Sequence, residues 1–201
     1  MNVRVIVPPE PIVTPADIPG AHAAGDAAVR AMIQAVTETI DGPGGWLGRS
    51  LGPQTLELSG NFACGRIRLP YVPIIDVVSI VAVSEDGSEA EADPATFRLD
   101  DGDVVISPGA SWVNSPKQRI RYMAGYNGTG EGKTGPVPER ARQAIILSVQ
   151  DMMRARSVSP LLRSETVEGL GSKTFLDADK LTAVVERTCD RLLSNLRVYV
   201  L

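Results

Sequence analysis

Gln54-Thr55-Leu56-Glu57-Leu58 alternates polar and apolar residues one by one, and Arg66-Ile67-Arg68-Leu69 does so again after a short break. Such alternation sends successive side chains to opposite faces, so each stretch reads as a strand with one buried face. The period holds, with interruptions, as far as Tyr126. Val77 to Val83 is more continuously apolar, the pattern of a central strand. Asp86-Gly87 suits a tight hairpin turn. Phe97 to Leu99 and Val104 to Ile106 make short strands, and Arg119 to Tyr122 alternates once more. The region from Gln54 to Tyr126 is thus predicted to be a small antiparallel sheet.

Helical spacing flanks it. From Asp26 to about Asp41, residues Val29, Ile33, Val36 and Ile40 fall on one helical face, and Asp41-Gly42-Pro43-Gly44-Gly45 ends the run. Upstream, Thr14-Pro15-Ala16-Asp17 offers a cap, a first-turn proline and an acid near the positive helix end, with Pro19-Gly20 stopping it early. The opening Val3 to Val7 either adds to a sheet edge or forms a loose arm. Downstream, Pro138 opens a helix with Ala141, Ile145, Ser148 and Met152 on one face through to Arg156. After a polar stretch from Ser157 to Thr174, a last helix spans about Asp177 to Leu196. Its stripe is Leu181, Val184, Val185, Thr188, Leu192 and Leu196, with Asp177 and Asp179 at its positive end. The expected fold class is α+β: helices flanking a small antiparallel β-sheet inserted between the N-terminal and C-terminal helices. It is read as a single domain over 1–201, with an extended arm at 1–13 and a strand-like tail at 197–201.

The 201 residues suffice for a self-sufficient core, which at 4% aromatic content must be mostly aliphatic. The net charge of −4 is unevenly placed. Glu85, Asp86, Glu89, Glu91, Asp93, Asp100, Asp101 and Asp103 crowd one region against the single Arg98. Such a belt does not suit a surface that grips nucleic acid, which needs clustered Lys and Arg; polar turns on an antiparallel sheet are the simpler reading. Cys64 and Cys189 form no paired motif, no cationic signal region opens the chain, and two buried free thiols in a reducing cytoplasm are expected. No apolar run approaches a membrane span, so no membrane partner is expected.

Motifs for chemistry are weak. Gly128-Thr129-Gly130-Glu131-Gly132-Lys133-Thr134 approaches a phosphate-binding loop, but the position that needs the first glycine is Asn127. Gly135-Pro136-Val137-Pro138 also pushes the next helix away from Lys133. His22 is the only histidine, which argues against a histidine metal site or a Ser-His-Asp triad. Asp100-Asp101-Gly102-Asp103 lacks the spacing of a calcium loop. The expectation is no catalytic residue, no metal and no cofactor.

The order of the motifs is more telling. Ile67-Arg68-Leu69-Pro70-Tyr71-Val72-Pro73-Ile74 leads into Val77 to Ile80 and then Asp86-Gly87. Val104-Val105-Ile106-Ser107-Pro108-Gly109 precedes Ser111-Trp112. Ile120-Arg121-Tyr122-Met123-Ala124-Gly125-Tyr126 is followed, across the glycine loop, by Val137-Pro138 and a helix. This succession resembles the head–tail connector (adaptor) family of long-tailed bacteriophages and gene transfer agents, over roughly residues 20 to 156. It departs from the family at Asp151-Met152-Met153-Arg154-Ala155-Arg156, where an aromatic-rich helix end is usual, and in a longer segment from Ser157 onward.

The resemblance implies a non-enzymatic structural subunit of the virion's head–tail junction, made in the bacterial host cytoplasm. It implies a homo-oligomeric ring, usually twelve-fold, docked on the portal protein and bearing a tail-side stopper or terminator protein. DNA would pass through the channel without sequence-specific binding. Family members often reach into the portal with the C-terminal segment, here Arg197, Val198, Tyr199, Val200 and Leu201. Loops face the neighbouring ring, here Asn127, Gly128, Gly130, Gly132 and Lys133. The residues themselves support a partner for the tail, since no charge follows Arg197 and an exposed apolar strand seeks an edge or groove. The alternative is that it packs on its own sheet. Two other functions stay open: a stopper or tail-completion ring protein, and, more remotely, a small hydrolase or binding module.

Overall fold

The computed structural model describes residues 2–20, 22–62, 65–157, 164–167, 171–174 and 178–199, with backbone alone between 157 and 180. Two compact units emerge: one of residues 1–12, 40–137 and 197–201, the other of 13–39 and 138–196.

The first unit is the sheet-bearing one. Its strands are β1 (Asn2–Val7), β2 (Gln54–Gly60), β3 (Arg66–Arg68), β4 (Ile74–Val83), β5 (Glu89–Glu91), β6 (Phe97–Asp100), β7 (Asp103–Ile106) and β8 (Lys117–Ala124). They form two antiparallel sheets rather than the one expected, in the orders β1-β2-β8-β4-β5 and β3-β7-β6. β1 pairs with β2 from Asn2↔Ser59 onward, so the N-terminal stretch is a sheet edge. The sheet is therefore not simply inserted between helices, because its first strand precedes all of them.

Alternation in β2 and β8 places Leu56, Leu58, Ile120 and Tyr122 in the core, all fully buried. Ile67, Leu69 and Val104 from the smaller sheet region join the same cluster, with Trp112 and Phe62. β4 departs from the continuous burial that its composition suggests. Its register against β8 skips Ile75 and Val78, and Val78 is exposed. A bulge flips the phase of the pleat, so two alternating runs read together as one continuous apolar stretch. At the Asp86-Gly87 turn, Asp86 accepts from the Ser88 N–H at 2.9 Å and Gly87 adopts φ 82°. Polar groups inside this core are satisfied. Gln118, fully buried, accepts from the Phe62 N–H at 2.8 Å and donates to the Ser115 and Val113 carbonyls. Tyr122 donates its hydroxyl to the Pro70 carbonyl at 3.0 Å.

The second unit holds α1 (Ala27–Ile40, of which the last residue falls in the first unit), α2 (Glu139–Ser157) and α3 (Ala178–Leu193). Asp26 caps α1, accepting from the Ala28 and Val29 N–H groups, and Val29 and Ile33 are buried as their spacing requires. Thr14-Pro15-Ala16-Asp17 forms a single capped 3-10 turn. Along α2 the fully buried residues are Ala141, Ala144, Ile145 and Val149, while Met152 is exposed. On α3 the expected stripe holds in part: Leu181, Val185, Leu192 and Leu196 are half-buried, Thr188 is exposed, and Leu193 is almost fully buried. Cys189 and Thr182 face α2, approaching Ser148 at 3.4 Å and Asp151 at 3.1 Å, and Val184 is 56% exposed. The polar segment before α3 contains a two-stranded hairpin, β9 (Ser164–Val167) with β10 (Gly171–Thr174). Asp177 and the side chain of Asp179 lie outside the described residues, as does Cys64.

Candidate partner-binding surfaces

Two of the surfaces expected to meet partners are organised by one connecting segment, residues 41–52. This segment follows α1 and is fixed both by the fully buried side chains of Leu47 and Leu51 and by backbone hydrogen bonds. Gly42 N–H donates to the Arg49 carbonyl at 3.0 Å, and Leu47 N–H to the Ile40 carbonyl at 3.3 Å. The buried Asp41 carboxylate gathers the far end, accepting from Leu51 N–H at 2.8 Å, the Gln54 amide at 3.1 Å and Gly52 N–H at 3.4 Å. Burial pushes the Asp41 carboxyl up to about 6, against those hydrogen bonds, which favour the charged form.

The C-terminal tail lies on this segment. Val198 N–H donates to the Leu47 carbonyl at 2.8 Å. The Arg197 guanidinium carbon sits 5.6 Å from the Trp46 ring centroid and 4.9 Å from that of Tyr199, within cation–π range of both. Tyr199 is 76% exposed and Trp46 37% exposed. Val200 and Leu201 lie outside the described residues. Sequence reasoning found the tail but not Trp46. The available signal was a tryptophan directly after Gly44-Gly45, a turn where a large ring has no regular element to bury it.

The same segment holds the base of the glycine loop. Arg49 donates to the Tyr126 hydroxyl at 2.7 Å, and Tyr126 N–H donates to the Leu51 carbonyl at 3.0 Å. Beyond Tyr126 the loop closes on itself. Gly128 and Gly135 exchange both backbone hydrogen bonds at 3.0 Å. Asn127 and Thr134 are cross-linked by side-chain contacts, and the Thr134 hydroxyl donates to the Gly125 carbonyl at 2.7 Å. Lys133 N–H is used by the Gly130 carbonyl. A phosphate cradle needs such N–H groups pointing at the ligand; here those of Asn127, Gly128, Lys133, Thr134 and Gly135 are taken up within the loop, and α2 begins only at Glu139. Asn127, Gly128, Gly130, Gly132 and Lys133 thus belong to one ordered turn.

The acidic belt is largely engaged in local structure. Asp93 accepts from Ala95 N–H, Arg66 pairs with Asp100 and Asp103, and Arg119 pairs with Glu89. No group of three or more metal-ligating side chains is found among the described residues, and no described helix is long and apolar enough to cross a membrane.

No protein-family model matches this chain, and no curated protein matches it. Solved structures do. The neck of a native gene transfer agent particle computed with C12 symmetry contains a chain that superposes with a TM-score of 0.62 at 16% identity, covering 100% of this chain and 98% of that one. The neck of the empty particle, computed with C6 symmetry, gives 0.63 at 18% identity with the same coverage. The virion of the native particle gives 0.58 at 18% identity, again over 100% and 98%. From end to end, this chain has the fold of a chain found in the neck of a gene transfer agent particle.

Proposed function

We propose that the chain is a structural subunit of a phage-type head–tail connector: an adaptor ring that docks on the portal and links capsid to tail around the DNA channel. The observation that carries this reading is the full-length likeness to a chain in necks computed with C12 and C6 symmetry. The motif order across residues 20 to 156 supports it independently, and the two units would work together as one connector domain. In this reading copies of the chain form a closed dodecameric ring. The tail from Arg197 engages the portal, the loop around Gly128 to Lys133 meets the next ring, and a stopper or terminator protein binds on the tail side. DNA passes through without sequence-specific contacts, and the particle's head–tail junction is the site of action. The role is mechanical rather than enzymatic.

Electron microscopy of the purified chain mixed with portal rings of the same particle tests this directly. The expected image is a second, coaxial ring on the portal. Rings that ignore the portal but cap a preassembled connector would favour a stopper or tail-completion role. A chain that stays monomeric with every junction component would overturn the proposal.

A further inference from the structure

We infer that Arg197 is a carboxylate receptor, taking an aspartate or glutamate side chain from the protein on which the tail docks. The inference rests on the tail being the docking segment, and adds the chemistry of what it recognises.

Three features of the site converge on this. The guanidinium lies 4.9 and 5.6 Å from the Tyr199 and Trp46 ring centroids, within cation–π range of both. The neighbouring Val198 N–H, bonded to the Leu47 carbonyl, fixes the backbone from which it projects. Among the described residues no hydrogen bond or ion pair is found for Arg197, so its in-plane N–H edge has no protein acceptor there. A planar fork of donors set beside two aromatic rings, with no acceptor among the described residues, matches a carboxylate in a bidentate arrangement.

The surroundings select the ligand class. A shallow recess beside Arg197 is lined by Gly45, Trp46, Gly48 and Tyr71, and Arg197 is the only charged residue among the described ones that line it. Nucleic acid would call for several clustered cations. The nearest cation in sequence to Trp46 is Arg49, and it is committed to Tyr126. One isolated fork with aromatic neighbours and glycine-lined space fits a single acidic side chain on an extended protein segment.

Nuclear magnetic resonance on the full chain reads this out at the Arg197 Nε–H and the Trp46 indole N–H. The probes are a capped diglutamate peptide, the matching diglutamine peptide and inorganic phosphate. Diglutamate is expected to shift both resonances saturably, and Arg197→Lys, which keeps the charge but loses the fork, to weaken binding at least fivefold. Equal shifts with diglutamine or with phosphate would overturn the assignment. On portal rings, Arg197→Gln is expected to dock at least tenfold more weakly than the unaltered chain. If Arg197→Gln docks normally while a chain lacking residues 197–201 does not, the carboxylate site is wrong and the tail reading stands. If both dock normally, the tail reading falls too.

Discussion

Val198 donates its backbone N–H to the Leu47 carbonyl at 2.8 Å, which ties the chain after the last helix to the turn that follows α1. The attachment is slight. One neutral hydrogen bond contributes about 1 kcal/mol net, and an exposed cation–π contact roughly 0.5–1 kcal/mol. Tyr199, at 76% exposure, contributes little burial. Deleting residues 197–201 is therefore expected to lower stability by about 1–2 kcal/mol, measured by denaturant unfolding, while abolishing docking on portal rings. A loss above about 4 kcal/mol would mean that the tail belongs to the unit's own core.

Glu57 supplies the second prediction. Its carboxylate is almost fully buried on β2, yet it bridges Arg4 on β1 at 2.8 Å and Arg121 on β8 at 3.1 Å. Burial alone would push its pKa up; the hydrogen bonds from Arg121 and Arg4 outweigh that and hold it below the usual glutamate range. A depressed folded pKa stabilises above the unfolded value and loses that contribution as pH falls through the folded one. Glu57→Gln is expected to cost about 2 kcal/mol at pH 7, because charge-assisted bonds to both arginines are lost. The gap between the two proteins should then narrow as pH is lowered below about 4. A gap that is constant with pH would show that shape, not charge, makes Glu57 important.

Asp41 should behave in the opposite sense. Its pKa is raised to about 6, so its neutral form is the one the fold favours. That contribution is complete below the unfolded aspartate value and is lost as pH rises through 6, with a ceiling of about 3 kcal/mol. The stability advantage of the unaltered chain over Asp41→Asn should therefore shrink between pH 4 and pH 7. Carboxyl carbon resonances of Asp41 should titrate near 6. Titration at the ordinary aspartate value would mean that the three donors around it dominate over burial.

These contrasts bear on what the sequence disclosed. Strands such as β2 and β8 were legible because one face is buried, and the period of Leu56, Leu58, Ile120 and Tyr122 records it directly. The division into two sheets was not legible, since alternation specifies which face is buried but not which strand is the neighbour. β1 was ambiguous for the same reason: an exposed edge leaves Val5 and Val7 partly in solvent, as a loose arm would. The stripe on α3 is legible in part: Leu181, Val185, Leu192 and Leu196 are half-buried, but Val184 and Thr188 extend the apolar pattern onto the exposed side while the packed face also takes in Thr182, Cys189 and Leu193. Of the candidate site, the tail was visible as an uncharged run after Arg197. Its resting place at Trp46 and Leu47 was not, because the Arg197–Trp46 ring contact and the Val198–Leu47 backbone bond join residues some 150 positions apart, which no local pattern records.

The glycine loop offers the last prediction, because its glycines are not equivalent. Gly125 adopts φ +126°, and a Cβ there would lie 2.2 Å from the Gly52 carbonyl oxygen. Both are backbone positions in the same unit, with Gly125 N–H also held by the Pro73 carbonyl, so neither side can give way. Gly125→Ala is expected to cost more than about 3 kcal/mol, as severe strain at a special backbone geometry does. Gly132, at φ +69°, has open space where a Cβ would go, so its substitution carries only the left-handed backbone penalty of about 1–2 kcal/mol. Lys133→Ala should leave the melting temperature unchanged, since its backbone N–H, not its side chain, bonds Gly130. ATP should not raise the melting temperature of the unaltered chain, because a ligand that binds only the native state must stabilise it. With the loop intact in Lys133→Ala, weaker association with the adjoining ring would place the contact at the loop tip. A nucleotide-dependent rise in melting temperature would instead reopen the loop as a phosphate site.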